Sequence, residues 1–148
     1  MIHTVNDRTK ESSLDLFSML HIAHAAESDL ESKLNAIGLS LTKLMALKAL
    51  DEAGEPVPLG QFAERLACVK SNITQLVDRL EADGLVARKP DPGDRRTKLA
   101  ALTAAGRRAC HQGTRMQQDT ERDLSRRLTR DEARHLRLLL AKVAKRAK

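Results

Sequence analysis

Apolar residues in the first quarter of the chain recur every three or four positions, which is the period of a helix with one buried face. The stripe consists of Met19, Ala23, Ala26, Leu30, Leu34 and Ile37. Ser12 and Asp15 fit an [ST]-x-x-[DE] capping pattern, and Gly38 is suited to end a helix. The pattern therefore predicts one amphipathic helix over residues 13–37 with a cap at Ser12.

The next segment carries shorter apolar runs separated by turn-forming residues. Ser40 is suited to cap a second helix that ends near Gly54, and Pro56 and Pro58 exclude a helix directly after it. A short strand and two further helices joined by a tight turn follow, the second ending near Gly84. The apolar positions of these two helices are Phe62, Ala63, Leu66 and Ala67, then Ile73, Leu76, Val77 and Leu80.

The remainder of the chain predicts a β-hairpin and two long helices. Residues 90–94, Pro-Asp-Pro-Gly-Asp, separate two runs of strand length and mark the hairpin turn. Thr103 is suited to cap a helix in which Gly113 marks a bend, and Thr129 with Glu132 fits the capping box of the last helix. The last helix carries its apolar stripe at Leu136, Leu139, Leu140 and Val143.

This order of elements predicts a mainly α fold with a small β-hairpin wing, of the α+β class. Residues 39–102 are expected to form a winged helix-turn-helix, and residues 1–38 and 103–148 a helical dimerisation region. The apolar stripes of the flanking helices have no partner large enough to bury them within one chain. A second copy buries such stripes most simply, so the sequence predicts a symmetric homodimer.

Composition limits the class of protein. The 148 residues, 41% hydrophobic and 31% charged, suit one folded domain or a small domain with helical arms. Neither a run of ~20 apolar residues nor a basic-then-apolar leader is present in the sequence, which predicts a cytoplasmic protein without membrane contact. Cys68 and Cys110 are too few for a disulfide scaffold and too far apart for a zinc knuckle, so reduced thiols and no bound metal are expected.

Charge and aromatic content point to a polyanionic duplex as the partner. The net charge of +6 is distributed as −4 over residues 1–59, +2 over 60–102 and +8 over 103–148. A basic balance favours nucleic acid, although an anionic membrane surface has the same attraction. Phe17 and Phe62 are the only aromatic residues, which excludes the stacking platforms of single-strand binders. Double-stranded DNA is compatible with this composition.

Two segments resemble the MarR family of transcription regulators. Residues 66–86, LACVKSNITQLVDRLEADGLV, are similar to its recognition-helix segment. Residues 91–106, DPGDRRTKLAALTAAG, resemble its wing with the Asp-x-Arg core and the L-T-x-x-G entry to the next helix. The resemblance implies a prokaryotic, nucleoid-associated homodimer on a pseudo-palindromic operator, acting as a repressor released by a small ligand or by oxidation.

The face of the recognition helix opposite its apolar residues is polar. It carries Lys70, Ser71, Asn72, Thr74, Gln75 and Arg79. Asn72 and Gln75 suit the bidentate contact to adenine in the major groove, while Lys70 and Ser71 suit phosphate oxygens. Val69 stands where the family usually has a polar cap, which leaves Ser71 as an alternative helix start. The competing interpretation is an ordinary solvated helix face.

In the wing, the resemblance places Arg96 at the arginine that enters the minor groove, with Asp94 positioned to hold it. A narrow A·T-rich minor groove attracts a guanidinium through its negative potential. Further contacts to the DNA backbone are expected from Arg88, Lys89, Arg95 and Lys98. A charged hairpin tip that only keeps the protein soluble is the alternative.

Other candidate chemistry in the sequence is weaker. Cys68 lies close to Lys70 before the recognition helix and could act as a redox switch, but a buried apolar role is favoured over that. The histidine pair at 21 and 24 could share a metal with His111 or His135, although exposed histidines are the commoner case. The sequence contains no catalytic motif, which predicts neither an enzyme nor a cofactor. A helical protein-interaction module remains the alternative function, and the small-molecule effector is not identified.

Overall fold

In residues 15–66 and 73–146, the part of the chain that the computed structural model describes, helices and short strands follow in the predicted order. They are α1 (Leu16–Asn35), α2 (Leu41–Ala53), β1 (Val57–Pro58), α3 (Leu59–Arg65), α4 (Ile73–Ala82), β2 (Val86–Pro90), β3 (Lys98–Leu102), α5 (Ala104–Ser125) and α6 (Arg130–Arg146). The fold is mainly α with a small antiparallel sheet, as predicted. None of the helices in these ranges is long and apolar enough to cross a membrane.

The start of α1 corrects the predicted boundary. The helix begins at Leu16, and Asp15 is its cap, because Asp15 Oδ1 accepts the backbone N–H groups of Phe17 (3.1 Å) and Ser18 (3.4 Å). The proposed cap Ser12 lies outside the described residues. A carboxylate that binds two first-turn N–H groups satisfies orphan donors and complements the helix dipole.

The predicted caps at Ser40, Thr103 and Thr129 are confirmed. The Ser40 and Thr103 hydroxyls each accept the backbone N–H three residues ahead, at 3.2 and 2.9 Å. Glu132 Oε2 accepts the Thr129 N–H at 2.7 Å, and the Glu132 N–H donates to Thr129 Oγ1 at 3.3 Å. The Thr129 N–H holds the pKa of the Glu132 carboxyl below its usual value, since the hydrogen bond favours the ionised form.

The predicted hairpin of β2 and β3 is confirmed, but the sheet has a third strand. The strand order is β1-β3-β2 and both pairings are antiparallel. Val57 lies opposite Ala100 and Pro58 opposite Leu99, so β1 pairs with the free edge of β3. Pro58, which has no backbone N–H to donate, is tolerated because β1 is an edge strand, and the groups on its outer edge need no partner strand. The wing is therefore anchored through the middle of β3.

The core joins the helix-turn-helix to the flanking helices. Its largest fully buried side chains are Phe62, Leu34, Leu44, Leu47, Leu80, Val77 and Val86. Leu34 enters this core from α1, and the buried Cys110 enters it from α5. α5 is one continuous helix through Gly113. A Cβ at Gly113 would lie 2.7 Å from Leu44 Cδ1, so this glycine serves close packing of α5 on α2.

A polar cluster ties α1 to α5 beside this core. The buried Thr120 donates to Asp29 Oδ2 (2.8 Å), and Lys33 Nζ lies 2.6 Å from the same oxygen and 3.5 Å from Asp123 Oδ2. The Lys33 ammonium, followed by the Thr120 hydroxyl, keeps the pKa of the Asp29 carboxyl below its usual value. The cluster therefore fixes α1 against α5.

The apolar stripe predicted on α1 is buried in the chain only at its C-terminal end. Leu30 and Leu34 are buried, whereas Met19 is 36% exposed and Ala23 is exposed; outside the stripe, Phe17 (81%) and Ile22 (58%) are exposed as well. On α6 the whole predicted stripe is exposed, and Leu140 has 51% of its surface open to solvent. A single chain thus leaves a large apolar surface on α1 and α6 uncovered, as the argument for a homodimer requires.

Replacing Gly106 with alanine is expected to destabilise the fold by about 1–3 kcal/mol or more, the range of overpacked sites. A Cβ at Gly106 would lie 1.9 Å from the Leu85 carbonyl oxygen, and a backbone atom cannot rotate away as a side chain can. Thermal and urea unfolding measure the loss. Gly60→Ala is the matched control, because no atom lies within 4 Å of the added Cβ in α3. Equal stability of the two variants would contradict the contact.

Candidate nucleic-acid interface

Helix α4 separates a buried apolar face from an exposed polar one. Leu76, Val77 and Leu80 are buried against the core, and Thr74, Gln75 and Arg79 are exposed. These three exposed residues therefore lie on the surface where the sequence predicts base and phosphate contacts. The other predicted contacts of this helix, Lys70, Ser71 and Asn72, lie outside the described residues, as does Cys68.

The wing tip is built by two aspartates. Asp91 Oδ1 accepts the Gly93 N–H at 2.8 Å, and Asp94 Oδ1 accepts the Arg96 N–H at 2.9 Å. Asp94 Oδ2 also accepts the Thr97 hydroxyl at 3.0 Å. Such short-range bonds from aspartate to backbone stabilise tight turns. The aspartate side chains thus stabilise the backbone turn over residues 91–97.

Asp94 contacts Arg96 through the backbone. In the described ranges, no carboxylate lies within 4 Å of the Arg96 guanidinium, so Asp94 does not hold that side chain by an ion pair. It holds the Arg96 backbone instead. Arg96 and its neighbour Arg95 are exposed at the tip, and Lys89 and Lys98 are exposed on the two strands below it. The wing presents four cations to solvent.

Arg88, also predicted to contact the DNA backbone, is paired with two carboxylates of its own chain. Its guanidinium lies 2.5 Å from Asp78 Oδ1 and 2.5 Å from Glu81 Oε2, both on α4. Only 23% of the Arg88 side chain is exposed. Arg88 therefore joins β2 to α4, and its charge is already paired within the chain instead of being free for a phosphate.

Sequence reasoning missed the acidic partners of this contact. Asp78 and Glu81 are spaced i, i+3 on α4, which places them on one side of the helix, and Arg88 follows in the next strand. That spacing was a usable signal. A further ion pair, Lys43 Nζ to Asp83 Oδ2 at 2.6 Å, links the first turn of α2 to the end of the α4 segment.

An open cavity of about 420 Å³ lies where the winged part meets α1 and α5. Its floor is apolar, with Leu30, Leu44, Met45 and Leu66, and its rim carries Lys48, Glu52, Arg65 and Gln117. Lys48 Nζ donates to Gln117 Oε1 at 2.9 Å across this rim. The cavity combines a hydrophobic floor with few polar groups, which is typical of small-molecule sites.

The described histidines and the described cysteine form no metal site. No group of three metal-ligating side chains occurs in residues 15–66 and 73–146, and the pair at 21 and 24 is exposed. Cys110 is 2% exposed, and burial raises the pKa of its thiol. A raised pKa disfavours the thiolate, which is the nucleophilic and oxidisable form.

Cys110 is therefore expected to react with a thiol reagent such as Ellman's reagent only when the fold opens. We expect labelling of native Cys68→Ser protein, in which Cys110 is the remaining thiol, to be at least about 100-fold slower than in denaturant, as for a site exposed only through rare opening. Peroxide is not expected to release this variant or the wild type from DNA. Release of the wild type that Cys68→Ser abolishes would establish Cys68 as a redox switch.

Comparisons with known proteins agree with this geometry. The MarR family model matches residues 39–98. The uncharacterized HTH-type transcriptional regulator YcgE of Bacillus subtilis is 35% identical over 76% of this chain and 70% of its own length. The multiple antibiotic resistance protein MarR of Salmonella typhimurium is 31% identical over 77% of this chain and 79% of its own. A cysteine-to-serine mutant of MarR from Escherichia coli, crystallised with operator DNA, superposes with a TM-score of 0.75 at 26% identity, over 88% of this chain and 94% of that one.

Proposed function

The chain belongs to the MarR family, and from this we infer that it is a transcriptional regulator that binds operator DNA as a homodimer. The observation that carries the inference is the pairing of the exposed polar face of α4 with a wing whose tip presents Arg95 and Arg96. A relative with the same fold is known in complex with operator DNA. Residues 39–102 are assigned to DNA recognition, and residues 1–38 and 103–148 to dimerisation.

Helix α4 is assigned to the major groove and the wing tip to the minor groove. Gln75 suits the N6 and N7 edge of adenine, and Thr74 and Arg79 flank it on the exposed face. Arg96 suits a narrow minor groove, where it responds to the shape of the duplex without reading base edges. Arg95, Lys89 and Lys98 are assigned to phosphates, which position the protein but do not specify sequence.

The homodimer determines the form of the operator. A twofold protein presents two α4 helices to two grooves, so the half-sites are expected about one helical turn apart, at ~34–36 Å, in an imperfect palindrome. The uncovered apolar residues of α1 and α6 supply the surface that a second copy buries. Since such an operator lies in the bacterial nucleoid, we place the action of the protein in the cytoplasm.

Regulation is assigned to the geometry between the flanking helices and the winged parts. Family members are typically repressors relieved by a small ligand, and the cavity of about 420 Å³ lies at that junction. A ligand that binds there with different affinity in two arrangements of the dimer shifts the balance between them. Since the chain has few aromatic side chains, apolar and polar contacts are expected to hold that ligand.

Selection of genomic fragments bound by the purified protein tests the proposed function. We expect enrichment of an imperfect palindrome, and a gel shift on that fragment that a scrambled fragment of equal length does not give. Binding that is equally strong on both fragments, or no binding at all, would refute operator recognition. Co-purification of a protein partner in that case would favour the interaction module.

Gln75→Ala is expected to cost about 1–3 kcal/mol of operator binding and to relax the base preference at one position in each half-site. The reason is that a bidentate amide contact distinguishes adenine from the other bases. Fluorescence anisotropy against operators mutated one position at a time measures both effects. Gln118→Ala is the control, since Gln118 is exposed on α5. A uniform loss on every operator would assign Gln75 to the phosphates instead.

A further inference from the structure

Arg88 contacts α4 along two helical turns. Its terminal nitrogens bind Asp78 Oδ1 and Glu81 Oε2, and one of them lies 3.4 Å from the Thr74 carbonyl oxygen. The Arg88 backbone N–H donates to the other oxygen of Glu81, at 3.1 Å. Residues 74, 78 and 81 are spaced by four and three, so they form one side of α4.

The other end of Arg88 is fixed in the sheet. Arg88 lies opposite Ala100 in the register of β2 and β3, and Ala100 is fully buried. β2 and β3 continue directly into the tip that carries Arg96. One side chain therefore connects the helix that presents Gln75 with the strand that leads to Arg96.

We propose that Arg88 is a positioning residue for operator recognition, which holds the wing at a fixed distance and angle from α4. The proposal rests on the proposed function. Gln75 and Arg96 must enter different grooves of one duplex at the same time, so their relative position determines whether both contacts form. A connection that already has the bound geometry avoids the entropy cost of ordering it on the DNA. Arg88 supplies that connection without touching DNA.

Removal of the two acidic partners gives opposite results for the competing roles. If Arg88 only neutralised two carboxylates, or if it contacted phosphate once released, Asp78→Ala/Glu81→Ala would bind operator as tightly as wild type or more tightly, because negative charge near DNA is lost. If Arg88 positions the wing, the double variant binds about 10-fold more weakly, within the range of coupling in one hydrogen-bonded network. Alanine is the best helix former, so α4 is preserved.

Arg88→Lys separates the roles by a second route. Lysine keeps the charge and remains able to contact a phosphate, but it lacks the planar fork that binds two carboxylates. We expect a loss of affinity similar to that of the double variant. Arg107→Lys and Asp51→Ala are the matched controls, because Arg107 and Asp51 form an exposed pair at 3.3 Å between α5 and α2. Both controls are expected to bind as wild type does.

A third measurement distinguishes positioning from a general loss of stability. In the Asp78→Ala/Glu81→Ala background, Arg96→Ala is expected to cost less affinity than in the wild type, by a factor of about 3 or more, because the wing is no longer placed. Equal cost in both backgrounds, or undiminished binding by the double variant, would overturn the proposal. Since wild-type binding is measured in parallel, failure of the proposed function itself would be visible as the absence of that binding.

Discussion

Replacing Arg96 with alanine is expected to weaken operator binding by at least about 30-fold and to leave the fold intact. A specific arginine contact is worth about 1–3 kcal/mol, and a dimer contains two copies of the wing, so the loss is about 2 kcal/mol or more. The Arg96 side chain is exposed, and its backbone N–H is held by Asp94 at 2.9 Å. Alanine keeps that backbone bond and removes only the guanidinium.

Fluorescence anisotropy with labelled operator measures the Arg96→Ala effect, and thermal unfolding confirms that the fold is retained. Arg108→Ala is the matched control, because it removes one exposed arginine from α5 and changes the net charge equally. Asp94→Ala is expected to cause a smaller loss, through the turn that positions Arg96. An Arg96→Ala protein that binds like Arg108→Ala would remove the wing from the mechanism.

Elements that depend on neighbouring residues could be predicted from the sequence. The caps at Ser40, Thr103 and Thr129 were correct because a capping hydroxyl and its backbone donor lie three residues apart. The hairpin was correct because its turn residues lie between two short runs. The α1 boundary was wrong by a few residues, since Asp15, which was expected to lie inside the first turn, is itself the cap and accepts the Phe17 and Ser18 N–H groups.

Features that depend on distant residues could not be predicted in this way. The pairing of Val57 with Ala100 joins strands far apart in sequence, and no periodicity predicts it. The close approach of Leu44 on α2 to Gly113 on α5, which leaves no room for a Cβ, is likewise a contact between distant residues. The ion pairs of Arg88 are an intermediate case, because the i, i+3 spacing of Asp78 and Glu81 signalled a shared side of α4, but only the packing of β2 brings Arg88 to it.

The dimer surface carries the other large effect that we expect. Leu136 and Leu140 of α6 are about half exposed, and with Leu124 and Leu128 they line a groove of about 620 Å³ between α5 and α6. Full burial of a leucine contributes about 1.5–3 kcal/mol, and a partner can bury only the exposed half of Leu136 and Leu140, so the two residues of both protomers together contribute about 3 kcal/mol or more. Placing glutamate at both positions removes this contribution and adds the cost of burying charge.

Leu136→Glu/Leu140→Glu is therefore expected to elute as a monomer and to bind operator about 10²–10⁴-fold more weakly, because linked half-site contacts become independent events. Analytical ultracentrifugation and anisotropy on the same samples measure both losses. Ala141→Glu is the control, since Ala141 is exposed on α6 and lies off the stripe. If the double variant sedimented as a dimer and Ala141→Glu did not, the dimer would use another face of α6.

Binding to an isolated half-site separates loss of pairing from loss of recognition. Because each monomer keeps its α4 and its wing, the double variant should bind one half-site as tightly as the wild type does.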